Sequence, residues 1–124
     1  MKILNATKKT VLTQKTEVAK SAWQKTKGLM FRGSLAEGAG LLMEFTGETK
    51  PGIWMPFMRF PIDIVFISED KKVVDIKENV KPISRHPGTW RIYMPAAKCR
   101  WVLEVSAGRA KETKTKTGDK LSFA

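Results

Sequence analysis

The segment Pro61-Ile62-Asp63-Ile64-Val65-Phe66-Ile67 constrains the fold of this chain more than any other. In an extended strand, Ile62, Ile64 and Phe66 share one face, and Asp63, Val65 and Ile67 share the other. A strand that is apolar on both faces belongs in the middle of a sheet covered on both sides. The carboxylate within it is then withdrawn from water, so it must be ion-paired or hydrogen-bonded where it sits. Two structural solutions exist: a buried ion pair, or acceptance of backbone amides from a glycine-rich loop. Asp63 lies two residues inside the strand, which places it at one end of the core, beside a mouth.

The rest of the chain supplies short strands separated by turns. Lys2–Leu4, Thr10–Val18, Leu41–Phe45, Ile53–Phe57, Val73–Lys77, Trp90–Tyr93, Arg100–Val105 and Lys120–Phe123 are β-prone by composition. Pro56 marks its segment as an edge or a bulge. In Arg100–Val105 the alternation turns Trp101, Leu103 and Val105 inward and leaves Val102 and Glu104 on the other side. One short helix is expected near residues 22–27. Ser21-Ala22-Trp23-Gln24 has the form of a capping box, Gly28 is a natural stop, and Trp23 would anchor the helix on a sheet. The loop Gly33–Gly40 lacks the G-K-[ST] ending of a phosphate loop. Turn signals at this spacing, without βα alternation, predict a mainly β fold: a compact antiparallel sandwich or barrel, jelly-roll-like, forming a single domain over 1–124.

Charge and cysteine content narrow the function classes. The 124 residues carry a formal charge of +11. Residues 1–36 hold eight basic groups against Glu17 alone, and residues 109–120 hold five against Glu112 and Asp119. Such surfaces attract polyanions, either nucleic acid or anionic lipid head groups. A lysine-rich surface is also what heat adaptation produces. No apolar run reaches membrane-spanning length and the opening residues lack a signal-peptide block, so a cytoplasmic protein without membrane insertion is expected. Cys99 is the lone cysteine, and a nucleophilic role would require His86, the lone histidine, beside it. Neither a metal nor a cofactor is expected from these residues.

Four blocks stand out together: Gly28-Leu29-Met30-Phe31-Arg32; Trp54-Met55 with Pro61–Ile67; Tyr93-Met94-Pro95-Ala96; and Val102–Gly108 with Gly118-Asp119 behind. In this order and spacing the chain closely resembles the domain-of-unknown-function 192 family of bacteria and archaea. The resemblance covers about Lys2 to Phe123. It implies a compact, mainly antiparallel β domain with a short helix, and brings no activity, substrate or cofactor. The family's polar motif residues fall on Arg32, Asp63, Glu104 and Asp119. Where the family has Lys-Asn-Thr after its Trp-Met pair, this chain has Pro56-Phe57-Met58, so any polar contribution from that position is altered.

Three functional readings follow. The first is a non-catalytic module that binds a small polar ligand or a protein partner. Its candidate site is Arg32, Trp54, Met55, Arg59, Asp63, Tyr93 and Glu104, with a structural cluster of Asp63, Glu104 and an arginine. If the two carboxylates meet, Arg32 or Arg59 is needed between them to keep both charged. The second is weak, non-specific nucleic-acid binding through the basic surface, helped by the base–aromatic interleaving of Trp90-Arg91-Ile92-Tyr93 and Lys98-Cys99-Arg100-Trp101. The third is hydrolysis by Asp63 and Glu104 as paired carboxylates.

Overall fold

Every residue of Ile62–Ile67 is buried, and this strand, β5, is an interior strand of a five-stranded sheet. The structure is a computed structural model that describes all residues except Phe31, Met55 and Pro56; the side chains of Ala22, Trp23 and Thr26 also lie outside the described set. The elements run β1 (Ile3–Asn5), β2 (Thr10–Thr13), β3 (Lys15–Ala19), α1 (Ala22–Lys27), β4 (Ala39–Thr49), β5, β6 (Val73–Val80), β7 (Cys99–Ser106), α2 (Arg109–Glu112) and β8 (Leu121–Phe123), with a 3₁₀ turn at Pro87–Thr89. Two sheets result, ordered β2-β1-β8 and β3-β4-β7-β5-β6. The architecture is mainly β and sandwich-like, and neither sheet closes into a barrel.

The large sheet has two covered faces. Val65, Ile67, Leu103, Val105 and Leu42 pack against Ile3, Leu12 and Leu121 of the small sheet. Ile62, Ile64, Phe66, Val102, Leu41 and Met43 form the opposite face, where Leu29, Leu35, Ile53, Met58, Phe60, Ile83 and Tyr93 cover them. One face is therefore closed by regular strands and the other by irregular chain. Side chains on loops do not interdigitate at a fixed strand spacing, and it is on this second face that a cavity opens.

The helix forms as its sequence predicts. Ser21 Oγ accepts the Gln24 amide at 3.1 Å, and Gln24 Oε1 accepts the Ser21 amide at 3.2 Å, completing the capping box. Gly28, at φ +48°, donates its amide to the Gln24 carbonyl at 2.9 Å and ends the helix in a conformation that a residue with a Cβ rarely adopts. The proposed anchoring by Trp23 concerns a side chain outside the described set.

Three expectations are corrected. Thr10–Val18 is not one strand: it breaks at Gln14, where the amides of Gln14 and Lys15 both donate to the Gly38 carbonyl, and its halves join different sheets. The fold is not wholly antiparallel, because β3 pairs parallel to β4. The connection through α1 and residues 28–38 is long enough for the crossover that parallel pairing requires. Between Ile53–Phe57 and Trp90–Tyr93, the described pairing is a single bridge, Ile53 with Tyr93. Prolines at 51, 61, 87 and 95 limit any longer ladder there.

Gly40 lies where the two sheets meet. A Cβ at this position would come 2.7 Å from Thr13 Cγ2 and 3.2 Å from Leu103 Cδ1. Thr13 is fully buried and its hydroxyl is tied to Thr16 at 2.7 Å, so it cannot swing aside cheaply. Gly40→Ala is expected to cost about 1–3 kcal/mol through overpacking. Urea denaturation measures this; a loss below about 0.5 kcal/mol would show that the sheets can separate there.

Candidate functional site

The register of β5 against β7 separates Asp63 and Glu104, the two buried acidic residues of the large sheet. Asp63 lies opposite Val105 and Ile64 lies opposite Glu104. Directly opposed residues share a face, so Asp63 points into the layer beneath the small sheet and Glu104 points into the loop-covered layer. The carboxylates do not meet, which removes the paired-carboxylate hydrolase and the shared Asp–Glu–Arg cluster.

Asp63 is fully buried, and both its oxygens are bonded to backbone. Oδ2 accepts the amides of Gly108 and Ala110, each at 3.0 Å, and Oδ1 accepts the amide of Asn79 at 2.9 Å. The pairing of β5 with β6 slips between Ile62 and Ile64, so Glu78 and Asn79 bulge opposite Asp63. Asn79 adopts φ +51° in this bulge. Gly108, at φ +93°, turns the chain from β7 into α2 and places the first amides of that helical turn on the carboxylate. The donors come from the Ala107-Gly108 turn and the β6 bulge, not from the Gly33–Gly40 loop. Asp63 is thus a clasp joining three elements.

Glu104 is the opposite case. It is buried, only 4% exposed, and its carboxylate has no hydrogen-bond or ion-pair partner among the described residues. Burial pushes its pKa up from the usual 4.5 to about 7. It forms part of a cavity of about 230 Å³. Leu29, Met30, Met43, Ile53 and Met58 line the walls, and half-exposed Trp54 and exposed Lys27 stand at the open side. The left-handed turn at Gly28 shapes this space: a Cβ there would lie 3.6 Å from Glu104 Oε1 and 3.4 Å from Met43 Cε. Lys25 also lines the cavity, but its Nζ donates to the Glu44 carbonyl at 3.1 Å and sits 4.3 Å above the Phe45 ring.

Among the expected site residues, Trp54 and Glu104 come together. Met55 lies outside the described residues. Arg32 forms an ion pair with Glu17 at 2.7 Å. Arg59 is exposed and pairs with no described carboxylate. Tyr93 is half-buried behind the cavity wall, its backbone bonded to Ile53 in both directions at 2.8 Å, with Arg91 stacked 5.0 Å from its ring. Asp119 is structural. Burial alone would raise its pKa, but bonds from the Asn5 amide group, Lys8 and the Lys116 amide bring it below the usual value. Sequence reasoning missed the wall residues Leu29, Met30, Met43, Ile53 and Met58. Gly28-Leu29-Met30 had been singled out as a block, and that block was the signal available.

Cys99 is fully buried, and burial, reinforced by the nearby Glu48 charge, pushes its thiol up to about 11. Lys98 and Arg100 do not activate it, and an inert core thiol is the result. The two basic segments are partly spent internally. Arg109 donates to the carbonyls of Leu12 and Val11 at 3.0 and 2.9 Å, and Lys8 holds Asp119 at 2.9 Å. Among the described residues, no group of His, Cys, Asp and Glu side chains is placed to share a metal ion. No described helix is long and apolar enough to cross a membrane.

The family model DUF192, described as "Uncharacterized ACR", matches residues 3–123. The chain belongs to the DUF192 family. The cavity of this DUF192 protein draws on three of the four blocks that carried the resemblance, through Gly28–Met30, Trp54 and Glu104. A UPF0127 protein of Pyrococcus abyssi is 29% identical over 123 residues, covering 98% of this chain and 96% of the relative. A UPF0127 protein of Thermococcus sibiricus is 24% identical, covering 98% and 73%. Such thermophilic archaeal relatives fit a heat-adapted surface. A protein of unknown function from Novosphingobium aromaticivorans superposes with a TM-score of 0.84 at 25% identity, covering 98% of this chain and 82% of that one. A Sinorhizobium meliloti protein, named as a candidate transcription regulator, gives 0.83 at 28% identity, covering 98% and 89%.

Opposite consequences are expected for the two carboxylates. Asp63→Ala strands three backbone amides and is expected to cost about 3 kcal/mol in urea denaturation near neutral pH; a change below about 0.5 kcal/mol would show that the clasp is dispensable. Glu104 weakens the fold as pH rises. Below about pH 4.5 it is protonated in both folded and unfolded chains. Between about 4.5 and 7 the unfolded chain loses the proton first, and above about 7 the loss of stability is complete, on the order of 3 kcal/mol. Glu104→Gln is therefore expected to be more stable than the parent protein near pH 8, with the gain absent near pH 4. A pH-independent difference would contradict this.

Proposed function

We propose that this DUF192 protein is a non-catalytic binding module that holds a small molecule in the cavity above Glu104. The observation carrying this is a carboxylate on a largely buried residue that opens onto a cavity and has no partner among the described residues. An isolated charge of this kind is costly, and a ligand that supplies a cation or a hydrogen-bond donor offsets the cost. The walls are apolar and rich in thioethers, which adapt to an irregular ligand body. The complement is an amine with a compact apolar group: ammonium inward against Glu104, hydrocarbon against Leu29, Met43 and Ile53. A cavity of about 150 Å³ holds benzene, so 230 Å³ suits a ring with a short amino tail.

2-Phenylethylamine is a suitable probe, with its anionic counterpart 3-phenylpropanoate as control. The amine is expected to change Trp54 emission and to bind more tightly near pH 8 than near pH 5, because ionised Glu104 pairs with it. Glu104→Gln is expected to weaken binding roughly tenfold or more, since a charge-assisted bond is lost. Tighter binding of 3-phenylpropanoate, or an unchanged affinity in the Gln variant, would contradict the proposal.

A further inference from the structure

The two loops joined by the Ile53–Tyr93 bridge carry most of the large apolar side chains that the fold leaves exposed. Trp54, Phe57, Trp90, Ile92 and Met94 are all more than half exposed. Trp54, Trp90, Arg91 and Ile92 line one open groove, and a Cβ on Gly52 would clash with Ile92 and touch Met94. Trp54, Trp90, Ile92 and Met94 therefore form a continuous patch, larger than the scattered apolar residues of an ordinary surface. Residues 49–62 and 79–97 contain no Asp or Glu, yet they hold Lys50, Arg59, Lys81, Arg85 and Arg91. Apolar tips on loops that carry bases and no acids of their own complement a surface that is negatively charged outside and hydrocarbon beneath.

We propose that this face docks peripherally on an anionic phospholipid surface. Three observations favour lipid over single-stranded nucleic acid. Ile92 and Met94 are as exposed as the tryptophans, and aliphatic side chains offer no plane for base stacking. The Trp90 indole N–H is already bonded to the Ser84 carbonyl at 2.8 Å, so the ring can enter an apolar layer without an unpaired donor. The loop behind it is closed on itself: Thr89 Oγ1 accepts the Ser84 amide at 2.8 Å and donates to the His86 carbonyl at 2.7 Å. A knuckle with its polar groups bonded internally loses little on leaving water.

The test is co-sedimentation and tryptophan emission with vesicles of phosphatidylcholine, with and without phosphatidylglycerol, beside fluorescence anisotropy with a labelled oligo(dT) strand. The expected result is binding to the anionic vesicles only, with tryptophan emission shifted to the blue and affinity falling as salt rises. The double variant Ile92→Ser, Met94→Ser keeps every charge and is expected to retain the parent melting temperature. It should lose roughly tenfold or more in vesicle affinity, as removal of two buried apolar contacts predicts. Unchanged vesicle binding by that variant would reduce the effect to net charge and overturn the proposal, as would absence of binding. Tighter binding of oligo(dT), lost in Trp90→Leu, would reassign the face to nucleic acid.

Discussion

Covering the large sheet on both faces takes Asp63 and Glu104 largely out of water, and the two carboxylates meet that constraint in different ways. Asp63 is compensated by three backbone amides. Those amides belong to the β6 bulge and the first turn of α2, so one carboxylate holds both elements in place. The clasp fixes β6 and the start of α2 against the end of β5. The fit of the small sheet over the same face depends on that placement.

Glu104 occupies the facing layer, where loops and α1 provide cover instead of strands. Nothing described there answers its charge, and burial raises its pKa to about 7. A fold selected for stability alone would place a leucine at this position, since a lone buried carboxylate costs more than any apolar isostere. Its presence under a cavity walled by thioethers and aliphatic groups is what the proposed binding role rests on. The face covered by strands holds the clasp, and the face covered by irregular chain holds the cavity.

Much of this was legible from residues alone. Alternating and doubly apolar strands fixed β5 and β7 nearly to the residue, and Ser21 with Gln24 located α1. Asp63 is hydrogen-bonded where it sits, as a carboxylate among apolar neighbours must be. What failed was long-range. Whether Asp63 and Glu104 share a face depends on the register of β5 against β7, which no local pattern encodes. The partners of Asp63 were backbone amides brought by a bulge at Asn79 and a turn at Gly108, and such donors leave no side-chain signature. Alternation puts Val102 and Glu104 on a second face, but a cover of irregular chain over that face has no period to detect.

The side-chain carboxyl chemical shift of Glu104, followed by NMR as pH is raised through neutrality in the ligand-free protein, tests the account most directly. A midpoint near 7 is the expected result. A midpoint at the ordinary value near 4.5 would mean that water or a protein donor already satisfies this group, and the cavity would then have no reason to hold a ligand.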